Sequence, residues 1–279
     1  MYILMTGRGT SGSWQIRGLQ LGRAIGASVV PDALDCSAYD LAVLVKRPVG
    51  NLVERLHRAQ VPIVWDVVDA WPQPYGNDWP QEVCQQWLTS EVRRIRPSAI
   101  VAATNAMARD CERFGLPVLW LPHHSRPFQR PNPVRPAVRA VGYEGGANYL
   151  GKWARIVEQA CERRGWSFVV NPDQLADLDI VLALRDSTGY APRNWKSNVK
   201  LANAHGTGTP FVGNREAGYL ETSCGAEFWA DDPIELASAF DSLASHEARR
   251  AISSHLLLAT RSLEETAKVY KAWLHGLKF

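Results

Sequence analysis

The chain has little that would hold a metal or staple a small fold. Its five cysteines, Cys36, Cys84, Cys111, Cys161 and Cys224, lie at least 27 residues apart, so no pair has metal-ligand spacing. Their odd number argues against a disulfide framework, and they read as reduced core residues of a cytoplasmic protein, or of a host cytoplasm if the chain is viral. No run of about 18 apolar residues occurs, which excludes a membrane-spanning helix. The opening Met1-Tyr-Ile-Leu-Met-Thr-Gly-Arg-Gly9 has neither the basic start nor the long apolar core of a secretion signal, and it reads as a buried strand. Neither sign of charge dominates: 31 Lys and Arg face 28 Asp and Glu. Such a balance describes a mixed, solvated surface as well as it describes a polyanion-binding one. There is no short-period repeat and no low-complexity run.

What is present is alternation. Short apolar runs at 2–6, 41–45, 61–68, 99–103 and 116–121 are separated by helical patterns near 50–59, 80–95 and 105–114. Continuous apolar strands between helices predict a parallel sheet covered on both faces. Five prolines (Pro122, Pro127, Pro131, Pro133, Pro136) then interrupt the pattern, and 122–137 reads as a linker. A second alternation follows, with strands expected at 138–143, 167–170, 179–184, 210–213 and 226–229, and helices at 149–164, 197–206, 233–244 and 246–256. The last helix, 260–276, carries Leu263, Ala267, Tyr270 and Leu274 on one stripe. At 279 residues the chain is long enough for two domains.

Three segments carry candidate chemistry. Gly7-Arg-Gly9-Thr-Ser-Gly12 follows a strand and precedes a helix, and Asp32 lies 20 residues after Gly12, which by spacing is a dinucleotide fingerprint. Val141-Gly-Tyr-Glu-Gly145-Gly146-Ala-Asn-Tyr-Leu-Gly-Lys152 is a second strand and glycine loop. Lys196-Ser-Asn198-Val-Lys200-Leu-Ala-Asn203-Ala-His-Gly-Thr-Gly208-Thr-Pro210 places two lysines four apart, on one face of an expected helix, where they could meet a diphosphate together. Gly218-Tyr-Leu-Glu221 closes this region. Asp66 and Asp69 end an apolar run, and a carboxylate there can orient an acceptor hydroxyl or act as a general base, or simply cap a turn. His123 and His124 follow Pro122 at the expected domain junction, where an imidazole can serve as base or hinge.

The order of these C-terminal residues resembles the donor-sugar-nucleotide segment of GT-B glycosyltransferases, group 1 or family 4-like. The resemblance implies two Rossmann-like α/β domains with parallel sheets: residues 1–130 for the acceptor, 131–259 for the nucleotide sugar, and 260–279 as a helix crossing back onto the first domain. It implies transfer of a hexose or pentose from a nucleoside-diphosphate sugar to an acceptor hydroxyl, with no metal and no resident cofactor. Lys152, Lys196 and Lys200 would hold the diphosphate with Gly9, Gly145, Gly146 and Asn198, while Asn203 and Glu221 would contact ribose or sugar. Many retaining members carry two glutamates eight apart, where this chain has Trp195 and Asn203. That departure leaves open a non-catalytic nucleotide-sugar binder.

On the acceptor side the expected residues are Ser11, Ser13, Trp14, Arg17 and Trp71, with Asp66, Asp69 and His123 as catalytic candidates. The acceptor is a sugar or small molecule. Alternatively it is a hydroxylated base of phage DNA, with cations such as Arg8, Arg17, Arg55 and Arg94 along a groove. The glycine loop Gly7, Gly9, Gly12 also leaves an NAD-dependent oxidoreductase open.

Overall fold

A computed structural model describes residues 1–69, 78–187 and 189–278. It contains eleven strands: β1 (Ile3–Gly7), β2 (Ser28–Val29), β3 (Leu41–Val45), β4 (Ile63–Asp66), β5 (Ala99–Ala102), β6 (Val118–Trp120), β7 (Ala140–Tyr143), β8 (Ser167–Val170), β9 (Ile180–Ala183), β10 (Phe211–Gly213) and β11 (Phe228–Trp229). Helices in chain order are α1 (Leu21–Ile25), entered through a π-helical turn at Trp14–Gln20, α2 (Leu52–Arg58), α3 (Gln81–Ile95), α4 (Asn105–Glu112), α5 (Trp153–Glu162) and α6 (Tyr190–Asn194). They continue with α7 (Val199–Thr207), α8 (Ala217–Leu220), α9 (Pro233–Ala244), α10 (His246–Leu258) and α11 (Leu263–Gly276).

These elements form two compact units. The first comprises Met1–His123, Gly189–Ser197 and Leu263–Phe279. Its six parallel strands run in the order β2-β1-β3-β4-β5-β6. Every residue of β1, β3, β4 and β5 is buried, as continuous apolar runs require of strands covered on both faces. One face is closed by α11, whose Ala267, Tyr270 and Leu274 pack with Ile3, Met5 and Val43. The last helix therefore crosses back to the N-terminal sheet.

The second unit comprises His124–Thr188 and Asn198–Ser262. Its five strands are also parallel, in the order β11-β10-β9-β7-β8. In both sheets the chain starts inside and winds outward in two directions. The order reverses between β1 and β3 in one unit and between β7 and β9 in the other. Ligands of such sheets bind outside the strand C-termini at that reversal.

Three sequence expectations are altered. Residues 122–137 are not a free linker: Ser125 N donates to Arg261 O (2.9 Å) and Asn132 N to Thr207 O (2.7 Å), which ties the segment into the second unit. The piece Gly189–Ser197, expected in the second domain, belongs to the first, because Trp195 is buried in its core. Cys224 is exposed, whereas the other four cysteines are buried thiols. No helix among the described residues is long and apolar enough to cross a membrane.

Candidate functional site

In the second unit three elements converge at the reversal point. Strand β7 ends in Tyr143, and the chain then turns through Gly145, whose φ of +140° only glycine adopts without strain. The Gly145 amide donates to Asn171 Oδ1 at 2.7 Å. Helix α7 starts beside this loop. Asn198 occupies its N-cap without a side-chain capping bond, so its first-turn amides point out of the helix end. Lys200, 6% exposed, rises from that first turn and sets its Nζ 3.8 Å from the centre of the Tyr143 ring. A methyl group added to Gly145 would lie 3.4 Å from that amine and 3.3 Å from Tyr143 Oη. Helix end, buried ammonium and glycine loop thus share one spot, and all three favour an anion.

A second cation arrives from the end of β9. Arg185 Nε donates to Glu216 Oε1 at 2.6 Å, and its guanidinium reaches Tyr219 Oη at 3.4 Å. Burial works to lower the Arg185 pKa, but the adjacent Glu216 carboxylate outweighs it and holds the guanidinium above its usual range. Burial also raises the Tyr143 phenol, with Arg185 opposing. Two buried polar atoms at this spot, Glu216 Oε2 and Tyr143 Oη, have no hydrogen-bond partner. Such atoms are costly unless a ligand or water completes them.

Asn203, expected on the ribose or sugar, spends its amide within the unit. Its Oδ1 accepts from Arg126 N (2.9 Å) and its Nδ2 donates to Glu144 Oε2 (3.0 Å), while Arg126 also pairs with Glu144. It braces the glycine loop from within the unit. Lys152 is 65% exposed and sits 3.4 Å from Asp186. Gly146 begins the short 3₁₀ turn Ala147–Tyr149, and Glu221 ends α8 half-buried.

The shared helical face expected of Lys196 and Lys200 is absent. Helix α7 begins only at Val199, so Lys196 precedes it, and the four-residue helical spacing has no meaning there. Lys196 belongs to the first unit, where its amine lies 3.4 Å from Asp69 Oδ2.

The chain's one Asp-x-Asp triplet, Asp177-Leu-Asp179, also bears on the expected absence of a metal. It lies at the N-terminal end of β9, away from the ligand-binding edge. There Asp179 accepts from Arg139 N, Ala140 N and Arg135. His205 is packed as expected, on Glu227 at 2.8 Å. With Cys224 these two form the only three-ligand His/Cys/carboxylate group among the described residues, but Glu227 already accepts from Ser223 Oγ, Cys224 N and Gly225 N.

In the first unit, Asp69 is the centre. Lys46 Nζ lies 2.6 Å from its Oδ1 and 3.5 Å from Ser13 Oγ. Burial would raise the Asp69 pKa, but Lys196 first and Lys46 next drive it well below the usual carboxylate range, with His123 contributing. Asp69 stays ionised through any neutral or mildly acidic pH. Ser11 Oγ accepts from Trp14 N at 3.2 Å, so it is part of the turn. His124, in the second unit, bonds Ser125 O at 2.8 Å.

Three acceptor-side expectations are corrected. Trp14 is 4% exposed and packs in the core. Arg17 and Asp66 are both 0% exposed, and Arg17 donates to Leu121 O beneath α11. Asp66 is a buried partner of Arg17, not a ligand-facing base. Of the cations proposed for a DNA groove, Arg17 is therefore internal, while Arg55 pairs with Asp32 and Arg94 with Glu91. Trp71 lies outside the described residues. Sequence reasoning missed Arg185, Glu144 and Arg126. A charged residue directly after the buried run Ile180–Leu184 was the available signal for Arg185.

No protein-family model matches the chain, and no curated protein matches its sequence. Its fold matches solved structures closely. Anabaena HepE, solved in complex with UDP-glucose, superposes with a TM-score of 0.71 at 12% identity, covering 99% of this chain and 100% of that one. Sucrose-phosphate synthase from Thermosynechococcus elongatus gives 0.63 at 11% identity, again covering 99% of this chain and 100% of that one. The lipopolysaccharide outer core galactosyltransferase WaaB, in its apo form, gives 0.56 at 9% over the same shares. The chain has the GT-B fold of these glycosyltransferases.

Proposed function

We propose that this chain transfers a hexose or pentose from a nucleoside-diphosphate sugar, a UDP-sugar first, to an acceptor hydroxyl, and that its second unit holds the donor. The observation that carries this reading is the convergence of Lys200, the start of α7 and the Gly145 turn at the β7–β9 reversal. A leaving diphosphate gains negative charge in the transition state. A fixed ammonium and oriented amides can take that charge with no reorganisation. Glu216 Oε2 and Tyr143 Oη supply the buried acceptor and donor that ribose or sugar hydroxyls would complete. That HepE is solved with UDP-glucose on the same fold supports the choice of nucleotide. No metal is needed in this scheme.

A thermal-shift screen of nucleoside-diphosphate sugars, with NAD(H) and duplex DNA as further arms, tests the reading. A rise in melting temperature with UDP-sugars but not with NAD(H) is expected, together with sugar-dependent UDP release in the presence of acceptors. A shift with NAD(H) alone would transfer the assignment to the N-terminal glycine loop. Donor binding without turnover would make the chain a binder, in line with Trp195 and Asn203 replacing the two glutamates.

Gly145→Ala gives a sharper check. The added methyl group is strained at φ +140° and crowds the Lys200 amine. Donor affinity is expected to fall at least about tenfold, whereas stability falls by about 1–3 kcal/mol. Titration calorimetry beside thermal melts separates the two. Equal losses in a variant far from the loop, or an unchanged affinity here, would remove Gly145 from the site.

A further inference from the structure

The second unit holds one further cluster with ligand chemistry. His205 stands in the last turn of α7, and Cys224 and Glu227 lie on the segment between α8 and β11. The His205 imidazole, the Cys224 sulfur and a Glu227 carboxylate oxygen all lie within 4.8 Å of one another. His205 and Glu227 are buried and Cys224 is exposed, so the cluster has an inner end and a solvent end. All three residues belong to the same unit. Lys200, in the first turn of α7, is at the opposite end of that helix.

The hydrogen bonds of Glu227 aim its carboxylate without filling it. Oε2 accepts from Ser223 Oγ and Gly225 N, while Oε1 accepts from Cys224 N at 3.0 Å. The turn that brings both amides onto the carboxylate passes through Gly225 at φ +86°, in the left-handed region. Bonds of this kind orient a ligating carboxylate and need not break when it takes an ion. The remaining lone pair of Oε1 meets His205 Nε2 at 2.8 Å. A metal ion can replace the proton between these two atoms. A tetrahedral zinc holds its nitrogen and oxygen ligands roughly 3.4 Å apart, so the His205–Glu227 contact opens by roughly 0.6 Å to admit it.

We propose that His205, Cys224 and Glu227 form a site for a zinc-class transition-metal ion. The donor set names the ion. A thiolate and an imidazole with one carboxylate suit zinc or cobalt, whereas magnesium and calcium take oxygen ligands. His205 binds through Nε2 as the Nδ1–H tautomer, Glu227 through Oε1, and Cys224 as the thiolate, its proton passing to solvent. Three protein ligands leave a tetrahedral ion one further position, for water or another ligand. The ion ties the last turn of α7 to the segment ahead of β11. None of this rests on the glycosyl-transfer reading, and the ion takes no part in holding the diphosphate.

The test titrates zinc chloride into the full chain by calorimetry, with a phosphine reductant keeping the thiols reduced, and repeats the titration with magnesium. One zinc ion per chain is expected to bind, and magnesium is expected to give no signal. Cys224→Ser should weaken zinc at least tenfold and cancel the rise in melting temperature that zinc gives the native chain. Cobalt supplies a spectroscopic signature: a sulfur-to-metal charge-transfer band in the native chain, absent from Cys224→Ser. His205→Gln should weaken zinc to a similar degree. His205 is buried, so if that variant melts early, Cys224→Ser, at an exposed position, carries the test alone. Absent zinc binding overturns the proposal. Zinc binding or a cobalt band that Cys224→Ser leaves unchanged overturns it too, since the ion would then sit on other groups. Magnesium bound as tightly as zinc overturns the class of ion.

Discussion

Arg17→Ala is expected to cost the first unit about 3–5 kcal/mol, the range for stripping one partner from a buried ion pair. Arg17 and Asp66 are both 0% exposed, with Nε 3.9 Å from Oδ2, and Arg17 also donates to Leu121 O. The substitution leaves a carboxylate in the core without a cation and abandons a carbonyl. The pH dependence identifies the cause. Burial raises the Asp66 pKa, and Arg17 is the main opposing influence. A carboxyl with a raised native pKa binds its proton more tightly in the native state. It therefore loses stability as pH climbs from the ordinary carboxylate range through the raised value. Without Arg17 the rise is larger. The deficit of Arg17→Ala should be small near pH 4 and grow toward neutrality. Chemical denaturation at several pH values measures this, and adding Asp66→Asn should recover much of the loss at pH 7. A deficit under about 1 kcal/mol that does not change with pH would show that the pair is solvated.

This pair shows what a sequence hides. An arginine five residues past the glycine loop reads as a surface or ligand-binding cation. Its burial depends on α11, which arrives from the far end of the chain to lay Tyr270 beside it. The sheets were legible because continuous burial demands continuous apolar runs, so 41–45 coincides with β3. The expected helix at 233–244 coincides with α9, where the structure shows Asp232 as the cap, accepting from Ile234 N and Glu235 N, and Pro233 in the first turn. The glycine turn at Gly145 and the position of Lys200 were legible for similar reasons. That Lys196 lies outside α7 was not. Two residues, Ser197 and Asn198, decide whether the helix includes Lys196, and helix starts are poorly read from sequence. The positive φ values of Lys46 and Val68 were invisible too, because neither residue type signals that conformation. Strain at a site opposes local preference, so pattern reading fails first where the site is built.

Lys200→Met is expected to weaken UDP-sugar binding by about 10- to 150-fold, corresponding to the roughly 1.5–3 kcal/mol of a charge-assisted hydrogen bond. Methionine retains most of the buried stem and removes only the charge, so packing against Tyr143 changes little. Lys200 is 6% exposed, and methionine fills the same buried space. Stability should therefore change less than affinity in Lys200→Met. A residue serving only structure would lose both together, or lose stability alone. The salt response adds a second signature. Donor affinity of the native chain should decline with added salt, and the slope should flatten in the variant, because one cation fewer meets the diphosphate. Calorimetry with UDP-glucose at two ionic strengths, paired with thermal melts, reads all three quantities. Unaltered donor affinity in Lys200→Met would mean that the pyrophosphate is held elsewhere, and the β7–β9 reversal would no longer be the donor site.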